Sequence, residues 1–211
     1  MYPPMARVYS SGSSVGQISK DKTIASGLTI CKYWDLSIDL KLPKQSSTKW
    51  IHVFGPVIED PTFWHNSYGN NLVSVWIQPH KQNVMLSVTV NPVGHPDDNK
   101  HWWYKRYDIP TEVKTDTWFN LKVNCIKKIK MMLFEIIVDG KRVHEAIKNP
   151  DINKKWENVK IVTGITFSPG PGWDHTFKSA VGEYRNFEIN SCSKKSKTVF
   201  FSTRSSLLKT G

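Results

Sequence analysis

Trp34, Leu36, Ile38, Leu40 and Leu42 alternate with Asp35, Ser37, Asp39 and Lys41. Successive side chains of an extended chain point to opposite faces, so this run predicts a half-buried β-strand. Pro43, which has no N–H for a ladder, closes it. Residues 72–78 and 83–91 predict a hairpin around a turn at 79–82, with Val84, Leu86, Val88 and Val90 set against Met85, Ser87 and Thr89. Residues 118–126 and 130–138 predict a second hairpin. Asp139-Gly140, a pair suited to two-residue turns, then leads into a returning strand over 141–147. Residues 50–58, 101–109, 159–167 and 181–189 complete a set of short strands, and no segment carries the period of an amphipathic helix. Many short strands with Gly- and Pro-rich turns predict an all-β protein, a two-sheet antiparallel β-sandwich.

The pattern also predicts boundaries. Residues 1–22 are rich in Ser, Gly and Pro and read as a flexible lead-in. Residues 23–192 read as one sandwich, and 193–211 as a basic tail in which Thr198-Val-Phe-Phe suits an exposed edge. A chain of 211 residues can bury a core without metal or disulfide staples. No apolar run approaches the ~20 residues of a membrane helix. Residues 1–7 lack the apolar stretch of a signal peptide.

Charge changes this picture. The chain carries 29 Lys and Arg against 18 Asp and Glu, a net +11. Most of the excess lies beyond residue 100, and the last stretch holds Lys194, Lys195, Lys197, Arg204 and Lys209 without an acid. Such a surface favours polyanions, among them sulfated or sialylated glycans. Nucleic acid binding would rest on net charge alone. Three cysteines are too few for a disulfide scaffold, and no C-x-x-C pair suggests zinc. Cys31 and Cys192 flank the sandwich and can pair if its ends are neighbours, which leaves Cys125 as a small buried hydrophobe. The cysteines by themselves leave the pairing and the compartment open.

Several runs resemble one superfamily in order and spacing. They are Ile24-Ala-Ser-Gly-Leu with Tyr33-Trp-Asp-Leu-Ser-Ile-Asp-Leu-Lys-Leu, and Leu72-Val-Ser-Val-Trp-Ile-Gln-Pro. Then come Thr117-Trp-Phe-Asn-Leu-Lys-Val, Phe134-Glu-Ile-Ile-Val-Asp-Gly-Lys, Val159-Lys-Ile-Val-Thr-Gly and Ala180-Val-Gly-Glu-Tyr-Arg-Asn-Phe-Glu-Ile. Together they resemble concanavalin A-like jelly rolls, laminin G-like domains included. The resemblance implies the fold over residues 24–190, but not an activity, because the superfamily holds lectins, glycosidases, adhesion modules and structural domains. Its glycosidases carry E-x-D-x-x-E or E-x-D-x-E on one strand, placing two carboxyls for hydrolysis. That motif is absent here, so no enzyme and no catalytic residue are expected. The His-x-Asn-x-Arg strand of galectins is absent too.

Candidate chemistry sits in four places. In His101-Trp102-Trp103-Tyr104-Lys105-Arg106, one strand face would interleave aromatic rings with cations. Sugars stack their C–H faces on such rings, and Lys or Arg bonds carboxylate or sulfate. Trp173, Asp174 and His175 lie in a Gly- and Pro-rich loop, where binding residues concentrate. Lys127, Lys128 and Lys130, with Lys154 and Lys155, form two basic segments that suit a polyanion if they share an edge. Sulfated glycans are common ligands of laminin G-like domains, so the resemblance supports that use. Asp97, Asp98 and Asn99 are the one dense oxygen cluster. Calcium needs six to eight oxygens, so calcium stays a weak candidate and no cofactor is expected. Packing in the core or a solvated turn is the ordinary meaning of each of these features.

The sequence thus predicts a non-enzymatic recognition or adhesion module, with glycans or glycoproteins as partners and an extracellular setting. The alternative is a structural subunit of a larger assembly, contacting itself or other subunits through the sandwich and the tail.

Overall fold

A computed structural model describes residues 5–19, 22–31, 33–44, 51–58, 73–80, 83–90, 105–128, 131–148, 156–164 and 182–192. They form thirteen strands: β1 (Met5–Ser10), β2 (Gly16–Ile18), β3 (Lys22–Ile30), β4 (Trp34–Lys41), β5 (Ile51–Ile58), β6 (Val73–His80), β7 (Asn83–Val90), β8 (Lys105–Lys114), β9 (Trp118–Lys128), β10 (Met131–Val138), β11 (Lys141–Lys148), β12 (Trp156–Thr163) and β13 (Gly182–Cys192). No helix occurs among the described residues.

The strands make two antiparallel sheets. One has seven strands in the order β1-β13-β4-β9-β10-β11, with β2 also on β13, and the other has six in the order β3-β12-β5-β6-β7-β8. The predicted alternation in β4 holds: Trp34, Leu36, Ile38 and Leu40 are buried, and the residues between them are half-buried. They pack with Leu121, Val123, Phe134, Ile136, Phe187 and Ile189 against Val53, Phe54, Val75, Ile77, Leu86 and Ile161 of the other sheet. Buried aliphatic and aromatic surface is the main stabilising term of such a layered core.

Turns behave as the residues require. Asp139 (φ 49°) and Gly140 (φ 75°) both adopt the left-handed region, and Val138 pairs with Lys141, so the hairpin closes on two residues. Asp139 Oδ1 accepts a hydrogen bond from the Asn120 N–H at 2.8 Å, which ties the turn to β9.

Three expectations are corrected. Residues 5–10 and 16–18 are strands inside the predicted lead-in, and Lys22 already begins β3. Local composition missed β1 and β2 because their support is tertiary. Both pair with β13, Ile18 is 1% exposed, and Val8 and Tyr9 pack against the core. Of the turn placed at 79–82, Pro79 and His80 belong to β6 instead, pairing with Val84 and Asn83. The strand read over 101–109 is described from Lys105 and runs on to Lys114.

A disulfide joins Cys31, just past β3, to Cys192 at the end of β13, with Cα atoms 5.7 Å apart. It ties one sheet to the other. The Cys31 N–H donates to Ser191 Oγ at 2.7 Å, and that hydroxyl donates to the Tyr33 carbonyl at 3.0 Å. Cys125 is a buried thiol outside the disulfide, and burial pushes its pKa upward.

Candidate functional site

Strand parity gives the six-stranded sheet an unusual outward face. In β6, Val73, Val75 and Ile77 enter the core, so Ser74 and Trp76 face away from it. In β7, Leu86 and Val88 enter the core, so Ser87 faces away. In β5 a bulge lets both Val53 and Phe54 enter the core while His52 stays opposite Trp76. Pairing then aligns His52, Trp76, Ser87 and Asp108 in one cross-strand row. The next row holds Ser74, Thr89 and Arg106.

This face is polar in composition yet buried. His52, Ser74 and Ser87 are 0% exposed and Trp76 is 4% exposed. The His52 ring meets Trp76 edge-on, with centroids 5.0 Å apart and an 82° interplanar angle. Burial drives the His52 pKa down to about 3, so the imidazole is neutral at physiological pH. A neutral imidazole has one donor and one acceptor nitrogen, which suits hydroxyl-rich chemistry.

The β7–β8 register shifts between Met85 and Ser87. Asp108 pairs with Ser87 and Glu112 with Met85, so four residues of β8 span two rows. Asn83 Nδ2 donates to Glu112 Oε2 at 2.7 Å. The sequence reading did not single out Asp108 and Glu112, because the strand it placed over 101–109 ends before Glu112, whereas β8 runs on to Lys114. It also missed His52, because a lone histidine within the 50–58 strand carries no signal of its own.

The outward face of the seven-stranded sheet behaves differently. Asp39 accepts from Asn120 Nδ2 at 2.8 Å, Asn186 Nδ2 at 2.7 Å and Arg185 Nε at 3.4 Å. Burial raises the Asp39 pKa, but these hydrogen bonds and the Arg185 charge outweigh it and hold the pKa below its ordinary value. The Arg185 guanidinium also lies 4.2 Å from the centroid of the Trp118 ring. Asp35 accepts from Asn190 at 2.8 Å, and Glu135 pairs with Arg142 at 2.9 Å. These groups satisfy one another, so the lattice serves structure.

Of the predicted site residues, Lys105 and Arg106 open β8, pairing with Val90 and Thr89. Lys105 takes the alternate parity to Arg106, shared with Tyr107, which pairs with the core residue Val88. Lys127 and Lys128 end β9, pairing with Met132 and Met131. Both pairs of cations stand at the disulfide end of the sandwich. In the seven-stranded sheet Cys125 pairs with Trp34, which pairs with Ser191 beside the disulfide. In the six-stranded sheet Trp156 pairs with Ile30, beside Cys31, and Ile58, Val73, Val90 and Lys105 follow as strand ends. His101, Trp102, Trp103, Tyr104, Trp173, Asp174, His175, Lys130, Lys154, Lys155, Asp97, Asp98 and Asn99 lie outside the described residues. Among the described residues no group of three or more His, Cys, Asp or Glu is placed to hold a metal.

No family model matches the sequence, and no curated protein matches it. Solved structures match it in shape. An endo-β-1,4-glucuronan lyase from the fungus Trichoderma reesei has a TM-score of 0.50 at 10% identity, over 89% of this chain and 79% of that one. The heptameric SAP-like pentraxin of Limulus polyphemus has a TM-score of 0.49 at 11% identity, over 85% and 70%. Domain 4 of AbnA, a GH43 extracellular arabinanase from Geobacillus stearothermophilus, has a TM-score of 0.46 at 16% identity, over 90% and 84%. Identities this low speak to fold alone. The chain is an all-β protein, a two-sheet antiparallel sandwich of jelly-roll-like architecture. Among the described residues no helix is long and apolar enough to cross a membrane.

Proposed function

We propose that this chain is a non-catalytic carbohydrate-recognition module of the laminin G-like kind, binding acidic glycans at the disulfide end of its six-stranded sheet. The observation that carries the reading is the position of Arg106. It stands in the row of Ser74 and Thr89, beside the row of His52 and Trp76, at the end where Lys127 and Lys128 terminate β9. A guanidinium offers two parallel N–H donors to a carboxylate or sulfate, while flanking lysines add long-range attraction. The disulfide fits an extracellular setting, since such bonds persist in oxidising compartments.

The test is a glycan array with neutral, uronic and sulfated members, read near physiological salt. Selective retention of acidic glycans is expected. Arg106→Ala should weaken it at least tenfold, while Lys114→Ala, at the opposite end of β8, should leave it unchanged. Absence of binding to any acidic glycan overturns the reading.

A second reading, a glycan-cleaving enzyme, draws on one observation. Asp108 and Glu112 hold the register positions opposite Ser87 and Met85, which are two residues apart on β7. Release of reducing ends from an array-positive glycan, abolished by Glu112→Gln, would favour it over simple recognition.

A further inference from the structure

On β10, alternate residues face alternate ways, and Phe134, Ile136 and Val138 belong to the core. Leu133 therefore faces outward from the seven-stranded sheet, as does Ile137. Ile137 is half-buried, but Leu133 is 1% exposed. Leu133 pairs with Ile126 on β9 and Ile147 on β11, so three apolar residues share one register row across three strands. The neighbouring row is acidic: Asn190, Asp35, Asn124, Glu135 and Glu145 align across five strands. An apolar stripe flanked by carboxylates, in a protein of net charge +11, calls for an apolar and basic occupant.

We propose that the occupant is the chain's own C-terminal segment, with Thr198-Val199-Phe200-Phe201 laid over the Ile126–Leu133–Ile147 row. Three features argue for it. The segment starts at Cys192, fixed by the disulfide at the same end of the sandwich as Leu133. From β13 to β10 is three strand spacings, about 14 Å, and residues 193–198 reach roughly 20 Å when extended. Its composition matches the two rows, with Lys194, Lys195 and Lys197 preceding Val199, Phe200 and Phe201 and no acid anywhere in it. Asp35 and Glu135 already hold Asn190 and Arg142, so the tail adds to an existing lattice in which carboxylates outnumber cations. This proposal is independent of the glycan reading.

The experiment compares the 211-residue chain with one ending at Ser193, using a fluorescein-labelled peptide of residues 194–211 as probe. The shortened chain should bind the peptide saturably and more weakly in high salt, because part of the attraction is between charges. The longer chain should not bind it, since a tethered segment outcompetes a free copy. A Phe200→Asp, Phe201→Asp peptide should bind at least tenfold more weakly. If the shortened chain fails to fold, the same double substitution in the 211-residue chain replaces it. That variant should bind the wild-type peptide and raise the fluorescence of a hydrophobic-patch dye severalfold. A folded shortened or substituted chain that neither binds the peptide nor brightens the dye overturns the proposal. So does a dimer that becomes monomeric on shortening, because the tail would then sit on a second copy.

Discussion

His52 owes its neutrality to burial alone, and that makes it a sensor of acid. An unfolded histidine binds its proton near pH 6.5, whereas His52 in the folded chain does so only near 3. Below pH 6.5 the unfolded state therefore holds the extra proton, and stability falls as pH falls. The expected loss from this residue is about 2 kcal/mol at pH 5. Urea titrations at pH 7.5 and pH 5 should show it, and His52→Phe should remove most of the pH dependence. An equal pH dependence in His52→Phe would place the sensitivity in other groups. Nothing in the local sequence announces this residue, because its burial is set by strands that pair with it from elsewhere in the chain. Asp39 is similar: its three partners come from β9 and β13, far away in sequence.

Two glycines show how strands constrain one another. Gly55 sits on β5, where an added Cβ would run into the Val73 carbonyl oxygen of β6. That oxygen is backbone and cannot rotate away. Gly55→Ala is expected to destabilise by about 3 kcal/mol, at the upper range for overpacking. Gly12 is the control. It has positive φ but open space around its Cβ position, so Gly12→Ala should cost only about 1 kcal/mol. Denaturant midpoints for the two variants test the contrast, and equal losses would contradict it. At this scale the sequence was most legible where the alternation was complete, as in β4, and least where bulges intervene. The bulge at Val53 changes which residues share a face, and the register shift between Asp108 and Glu112 changes which rows they join, and a period-two reading has no means to anticipate either.

The disulfide acts on the whole molecule. Cys31 and Cys192 are 161 residues apart, so the bond closes nearly the entire sandwich into one loop. The chain-entropy model gives such a loop about 5 kcal/mol of stabilisation by restricting the unfolded chain. Cys31→Ser with Cys192→Ser should lower stability by about 2–5 kcal/mol, read from urea midpoints, while Cys125→Ala should leave the bond intact. A midpoint unmoved by the double substitution would show that the sheets hold together without it. The bond also sits where strand ends bearing Lys105, Arg106, Lys127 and Lys128 gather, so its loss should weaken any ligand held there.

The sequence by itself determined the fold class, the main core strands and the two-residue turn at Asp139-Gly140. Those depend on period-two alternation and on backbone conformations that only a few residue types favour. It also named Cys31 and Cys192 as possible partners. Only the tertiary structure decided that they pair, that residues 5–18 add strands to β13, and that His52, Trp76 and Arg106 belong to one face. The physical reason is register: which residues become neighbours across a sheet depends on pairings between distant segments, and each bulge resets the count.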